Sequence, residues 1–154
     1  MMKTLIIYFS ETGTTKERAQ AIARELGADL YEIKAKIPYT SQDRNWYDDS
    51  SRCNLEQYDE RSRPDFAGNL PDISHYERIL IGHPTWWGIP PRIVQTVMDQ
   101  MDFSDKILGS FSTSGGSSYA KAQPIFNQYA AKHHIAGDVL NSTAAMKGWL
   151  KRLN

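Results

Sequence analysis

Two kinds of apolar run alternate along the chain. Leu5-Ile6-Ile7-Tyr8-Phe9 is short, continuously apolar and rich in β-formers, the pattern of a strand buried on both faces. A polar turn, Ser10-Glu11-Thr12-Gly13-Thr14, gives way to helical spacing that puts Ala19, Ile22, Ala23 and Leu26 on one face. Thr14 and Glu17 have the spacing of a capping box, and Gly27 stands where that helix should stop. Asp29 to Ile33 alternates as a second strand, and Arg78-Ile79-Leu80-Ile81-Gly82 is a third, buried one. Pro90-Pro91 opens a helix whose apolar face is Ile93, Val94, Val97, Met98 and Met101. Ile107 to Ser112 reads as a fourth strand. The helical pattern after it holds Ala122, Ile125, Phe126 and Tyr129, with Pro124 marking a delayed start or a kink. Ala136 to Leu140 fits a fifth strand. Ser142 or Thr143 then caps a last helix with Met146, Trp149, Leu150 and Leu153 inward.

Strands that alternate with helices predict an α/β fold with a mostly parallel sheet and right-handed crossovers. The pattern breaks only from Lys34 to His75, a polar stretch with Pro38, Pro64 and Pro71. It is too long for an idle loop and carries a faint helical signal over Ser51 to Tyr58. It reads as an irregular, mostly exposed insertion at about 35–75 within one domain covering 1–154.

In parallel sheets of this kind ligands sit beyond the carboxyl ends of the strands, near the switch in strand order. That rule singles out three loops. Ser10 to Thr15 is a hydroxyl-rich strand-to-helix turn, where free helix N–H groups can hold a phosphate without Lys or Arg. Its plain reading is an ordinary N-cap turn. Thr85-Trp86-Trp87-Gly88 offers flat indole faces for stacking on an aromatic ligand, and the plain reading packs them into the core or a dimer contact. Which of Trp86 and Trp87 does which is left open by the sequence. Ser112 to Ser118 contains Gly115 and Gly116, which let backbone N–H groups approach a flat heterocycle closely. The three together describe a site for a phosphorylated planar cofactor.

Composition narrows the picture. Among 154 residues, 18 Lys and Arg balance 18 Asp and Glu, so no electrostatic footprint for nucleic acid or an anionic membrane is expected. No apolar run approaches the roughly 20 residues of a membrane span, and Met1-Met2-Lys3-Thr4 does not read as a secretory signal. Cys53 stands alone, which rules out an internal disulfide and fits a cytoplasmic chain. It reads as a plain structural thiol. Gly-x-Gly-x-x-Gly, a nucleotide P-loop and Gly-x-Ser-x-Gly are all absent. His133 and His134 would diverge on a helix, so no metal site is expected, and His83 is expected to make a structural hydrogen bond.

The run Tyr8-Phe9-Ser10-Glu11-Thr12-Gly13-Thr14-Thr15 resembles the phosphate-binding loop of the flavodoxin family, of the form Ser/Thr-x-Thr-Gly-x-Thr. Gly82-His83-Pro84-Thr85-Trp86-Trp87-Gly88 and Thr113-Ser114-Gly115-Gly116-Ser117 resemble the ring-flanking and third loops of a subgroup of that family. The resemblance implies a three-layer sandwich with strand order 2-1-3-4-5 and one non-covalent flavin mononucleotide (FMN). Ser10, Glu11, Thr12, Gly13, Thr14 and Thr15 would surround its phosphate. Pro84, Thr85, Trp86, Trp87 and Gly88 would flank its ring, and Ser114, Gly115 and Gly116 would bond the pyrimidine edge. The Gly88 carbonyl is expected to rotate toward a protonated ring nitrogen. The implied activity is electron transfer, with a redox protein or a small-molecule acceptor as partner and a monomer or weak dimer as the assembly. The alternative is an FMN-dependent NAD(P)H:quinone-type oxidoreductase. Family electron carriers are typically acidic, and this balanced chain is not.

Overall fold

A computed structural model describes residues 2–113 and 116–153. The elements run β1 (Thr4–Phe9), α1 (Thr14–Leu26), β2 (Asp29–Ile33), α2 (Arg52–Tyr58), β3 (Arg78–Pro84), α3 (Arg92–Met98), β4 (Ile107–Thr113), α4 (Gln123–Asn127), β5 (His133–Val139) and α5 (Thr143–Leu150), followed by a 3-10 turn, Lys151–Leu153. The strands form one parallel sheet in the order β2-β1-β3-β4-β5.

Alternation along the strands splits the core into two. Leu5, Ile7 and Phe9 of β1 join Ile79 and Ile81 of β3 against α3, with Phe126 of α4 in the same cluster. Ile6, Tyr8 and Leu80 face the other way, onto Ala19, Ile22 and Ala23 of α1 and onto Met146 and Trp149 of α5. Every residue of β1 is buried, as its unbroken apolar run requires.

Helix boundaries depart from the expected ones in informative ways. Gly13 (φ 95°) occupies the N-cap of α1 and no side chain caps it. Thr14 therefore falls one place too late for a capping box, and the Glu17 N–H makes an ordinary helical bond to Gly13 O at 3.0 Å. Gly27 closes α1 in the left-handed region, as expected. Pro124 sits in the first turn of α4, which is the delayed start. Ser142 caps α5 by accepting from Ala145 N at 3.0 Å.

The last strand also departs from the expectation. β5 begins at His133, three residues before the expected Ala136, so His133 and His134 lie on a strand and not on a helix. It is an edge strand with little burial, and its polar start hides it from hydropathy. The insertion is mostly exposed, as expected, but it is not unstructured. Lys36 N–H bonds Asp65 O at 2.9 Å and Ala67 N–H bonds Lys34 O at 2.7 Å, which clasps its two ends. Inside it Tyr39, Ser51, Cys53, Asn54 and Gln57 are buried.

Candidate functional site

β1, β3 and β4 are neighbours and parallel, so the loops that leave their carboxyl ends open on one rim. The Thr85 N–H donates to Thr113 O at 3.1 Å, and Pro84 pairs with Thr113 in register. The second and third loops thus start side by side. Thr15 ties the first loop to the same place, its Oγ1 lying 2.8 Å from Thr113 Oγ1 in a buried contact. That bond engages the Thr15 hydroxyl inside the protein.

The first loop keeps donors open. Ser10 Oγ accepts from Lys16 N–H at 3.1 Å, which still leaves its own hydroxyl proton. Thr12 and Thr14 are exposed. The N–H groups of Thr14 and Thr15, in the first turn of the 13-residue α1, have no acceptor among the described residues. Such groups carry the positive end of the helix dipole and suit a phosphate. Gly13 supplies the left-handed bend that presents them. Glu11 is a charge of the wrong sign for this place. Burial pushes its carboxyl above the usual range, and Arg44 and Arg52 pull the other way. Arg44, from the insertion, pairs with it at 2.8 Å and offsets its charge.

The second loop is a tight turn. Trp86 N–H donates to Ile89 O at 2.8 Å and Ile89 N–H to Trp86 O at 3.3 Å. Trp87 (φ 58°) and Gly88 (φ 80°) between them both have positive φ, as a type I′ turn demands. The peptide that can rotate here without losing the closing bonds is the central one, and its carbonyl belongs to Trp87. The Gly88 carbonyl shares its peptide with the Ile89 N–H, which donates to Trp86 O. The two tryptophans separate clearly. Trp86 is 5% exposed and packs edge-on against Phe9 and Tyr39, with ring centroids 5.9 and 5.3 Å away. Trp87 is half-buried and reaches the surface. It contacts Trp46 and Tyr58 of the insertion, at centroid distances of 3.6 and 6.0 Å.

Ser114 and Gly115 lie outside the described residues, and Gly116 is the first described residue after them. Trp87 and Gly88 line a cavity of about 410 Å³ together with Ser117, Ser118, Ala120 and Lys121. Small-molecule sites usually span about 300–1,000 Å³. The cavity joins the second loop to the segment that follows the third.

His83 precedes this turn and is fully buried. Its Nδ1 lies 2.8 Å from Pro84 O and its Nε2 2.9 Å from Tyr119 Oη, which in turn lies 2.7 Å from Ser110 Oγ. Burial drives the imidazole down to about 4, so it is neutral near pH 7 and serves the structure. Cys53 is buried too, and burial pushes its thiol up to about 12, too high for a reactive thiolate. No cluster of metal-binding side chains occurs among the described residues.

The sequence did not point to the insertion as part of the site. Arg44 reaches Glu11, Trp46 touches both tryptophans, and Arg52 lies over the Tyr39 ring at 3.8 Å. Arg44 and Trp46 sit in no periodic segment, and Arg52 opens only the faint helical signal over Ser51 to Tyr58. The one available signal was the density of Trp, Tyr and Arg in a stretch that composition alone marks as loop.

The family model described as flavodoxin matches residues 3–153. The chain belongs to the flavodoxin family. A curated flavodoxin from Haemophilus influenzae is 25% identical over 119 residues, covering 75% of this chain. The match spans only 52% of that relative's length. A provisionally assigned flavoprotein from Bacteroides eggerthii is 35% identical with a TM-score of 0.91, covering 98% of this chain and 97% of its own. A flavoprotein from Lactobacillus acidophilus, solved in complex with FMN, is 27% identical with a TM-score of 0.68, covering 97% of this chain and 99% of its own. No helix of the flavodoxin-family chain is long and apolar enough to cross a membrane among the described residues.

Proposed function

We propose that this flavodoxin-family chain holds one non-covalent FMN and passes electrons through it to a redox protein or a small-molecule acceptor. The observation that carries the reading is the convergence of the three loops. Open N–H groups at the start of α1 stand on the same rim as a half-buried tryptophan and a cavity of ligand size. The Lactobacillus flavoprotein solved with FMN has the same fold and supports the choice of ligand.

The residues fit the group. Ser10, Thr12, Gly13 and Thr14 with the Thr15 backbone would hold the phosphate, and Arg44 would offset the charge of Glu11 beside it. Thr85, Trp87 and Gly88 would flank the ring, with Trp86 holding the turn to the core. Ser114, Gly115 and Gly116 would meet the pyrimidine edge. The bound flavin supplies the electron-accepting chemistry, and the protein positions and tunes it. Pro84 and Trp86 act on the backbone that carries the site. We place the chain in the cytoplasm, where its one buried thiol stays reduced.

Purification decides the reading. The protein should be yellow, with a flavin absorption band, and heat should release FMN. A colourless protein that takes up no added FMN would refute the proposal. NADPH oxidation with a quinone acceptor separates the carrier from the enzyme: turnover with NADPH alone as reductant would make the chain an oxidoreductase.

A further inference from the structure

Gln57 is a buried polar side chain beside the site with both its donors and its acceptor engaged, and it lies outside the three loops. It stands near the end of α2, in the insertion, and is 4% exposed. Its Nε2 donates to Trp86 O at 2.9 Å and to Pro90 O at 3.2 Å. Its Oε1 accepts the Arg92 N–H at 3.2 Å. The amide therefore spans the whole Trp86–Ile89 turn. It holds the residue that opens the turn, the residue just beyond its close, and a first-turn N–H of α3 that the helix itself cannot satisfy.

Arg92 fixes Gln57 in turn. Its guanidinium donates to Gln57 O at 2.8 Å and to Glu56 O at 3.3 Å, so helix and turn are bolted from both sides. Between the bolts lie Trp87 and Gly88, both at positive φ. Trp87 is a non-glycine residue in the left-handed region, a conformation that persists only where its surroundings over-determine it.

From this we infer that Gln57 is a positioning residue for the flavin: it clamps both ends of the Trp86–Ile89 turn, so that the insertion sets how the central Trp87–Gly88 peptide meets the ring. The inference rests on the FMN reading above. It gives the insertion a task that its composition does not suggest. A buried carboxamide with both donors and its acceptor engaged has no apolar substitute that keeps the turn in place.

Two variants test it. Gln57→Met keeps the length and loses every hydrogen bond. Gln57→Glu keeps the acceptor toward Arg92 and loses the donors. Both should weaken FMN about tenfold or more, read by flavin fluorescence titration, and both should shift the midpoint potential of the bound flavin. A merely structural role would lower the melting temperature and leave the potential where it was. Folded variants with wild-type affinity and wild-type potential overturn the inference while leaving the FMN reading intact. A wild-type chain that takes up no FMN removes that reading and the inference with it. Where a variant does not fold, the wild-type chain answers by NMR. The Gln57 carboxamide protons should exchange slowly and move when FMN is added, and their indifference to FMN overturns the clamp.

Discussion

Burial of His83 sets a pH limit on this fold. The imidazole is enclosed, bonded at both nitrogens, and its pKa is pulled down to about 4 from an ordinary 6.5. The unfolded chain therefore binds a proton at a pH where the folded chain does not. Stability is whole above pH 6.5 and falls as pH drops toward 4, by about 3 kcal/mol over the window from this residue alone. Urea unfolding of the wild type and of His83→Gln at pH 7 and pH 4 reads it. The wild type should lose about 3 kcal/mol more than the variant across that interval, and parallel losses would show that His83 titrates normally. The same enclosure holds His83, adjacent to a loop of the site, to Pro84 and Tyr119. Its free energy goes into joining the end of β3 to Tyr119 and Ser110.

At the scale of elements, β5 bears the tightest constraint. Gly109 pairs with Ile135 and Phe111 with Asp138, so β5 carries one extra residue in a bulge. Gly137 lies in it, and a Cβ there would collide with the Tyr119 ring and stand 2.8 Å from Ser110 O. Gly137→Ala should cost about 2–3 kcal/mol in urea unfolding, and wild-type stability would mean that the Tyr119 ring yields freely. Legibility in the sequence follows the same logic of burial. β1, β3 and β4 lie inside the sheet and are almost wholly buried, with apolar runs at Leu5–Phe9 and Ile79–Ile81, and β2, the other edge strand, still alternates. β5 is an edge strand that opens on two histidines, so hydropathy gave only its second half. The capping box was a spacing without geometry, because Gly13 took the cap and left Thr14 inside the helix. The three loops were legible because each bridges a clear strand and a clear helix or helix start. Gln57, Arg44 and Trp46 were not. Their partners in the site lie 29 to 41 residues away in the chain, and the polar nucleus around Asn54 and Gln57 is held by hydrogen bonds and not by an apolar face.

For the whole molecule, the decisive fact is that the site is assembled from distant parts of the chain. β1, β3 and β4 each contribute a loop, and the insertion adds Glu11's partner Arg44 and the clamp at Gln57. Local structure alone cannot keep such a site together, and a ligand that touches several of these parts binds the folded state and not the unfolded one. Free energy then follows from mass action: FMN at one hundred times its dissociation constant should add about 2.7 kcal/mol. For a domain of this size each kcal/mol raises the melting temperature by about 2–4 °C. The expected gain on adding FMN is therefore about 5–11 °C, read by calorimetry on the apoprotein and the reconstituted protein. Riboflavin, which lacks the phosphate, should give a smaller gain, because the open N–H groups at the start of α1 would find no anion. Equal gains from riboflavin and FMN would mean that the α1 loop holds no phosphate, and no gain from either would mean that the rim is not a flavin site.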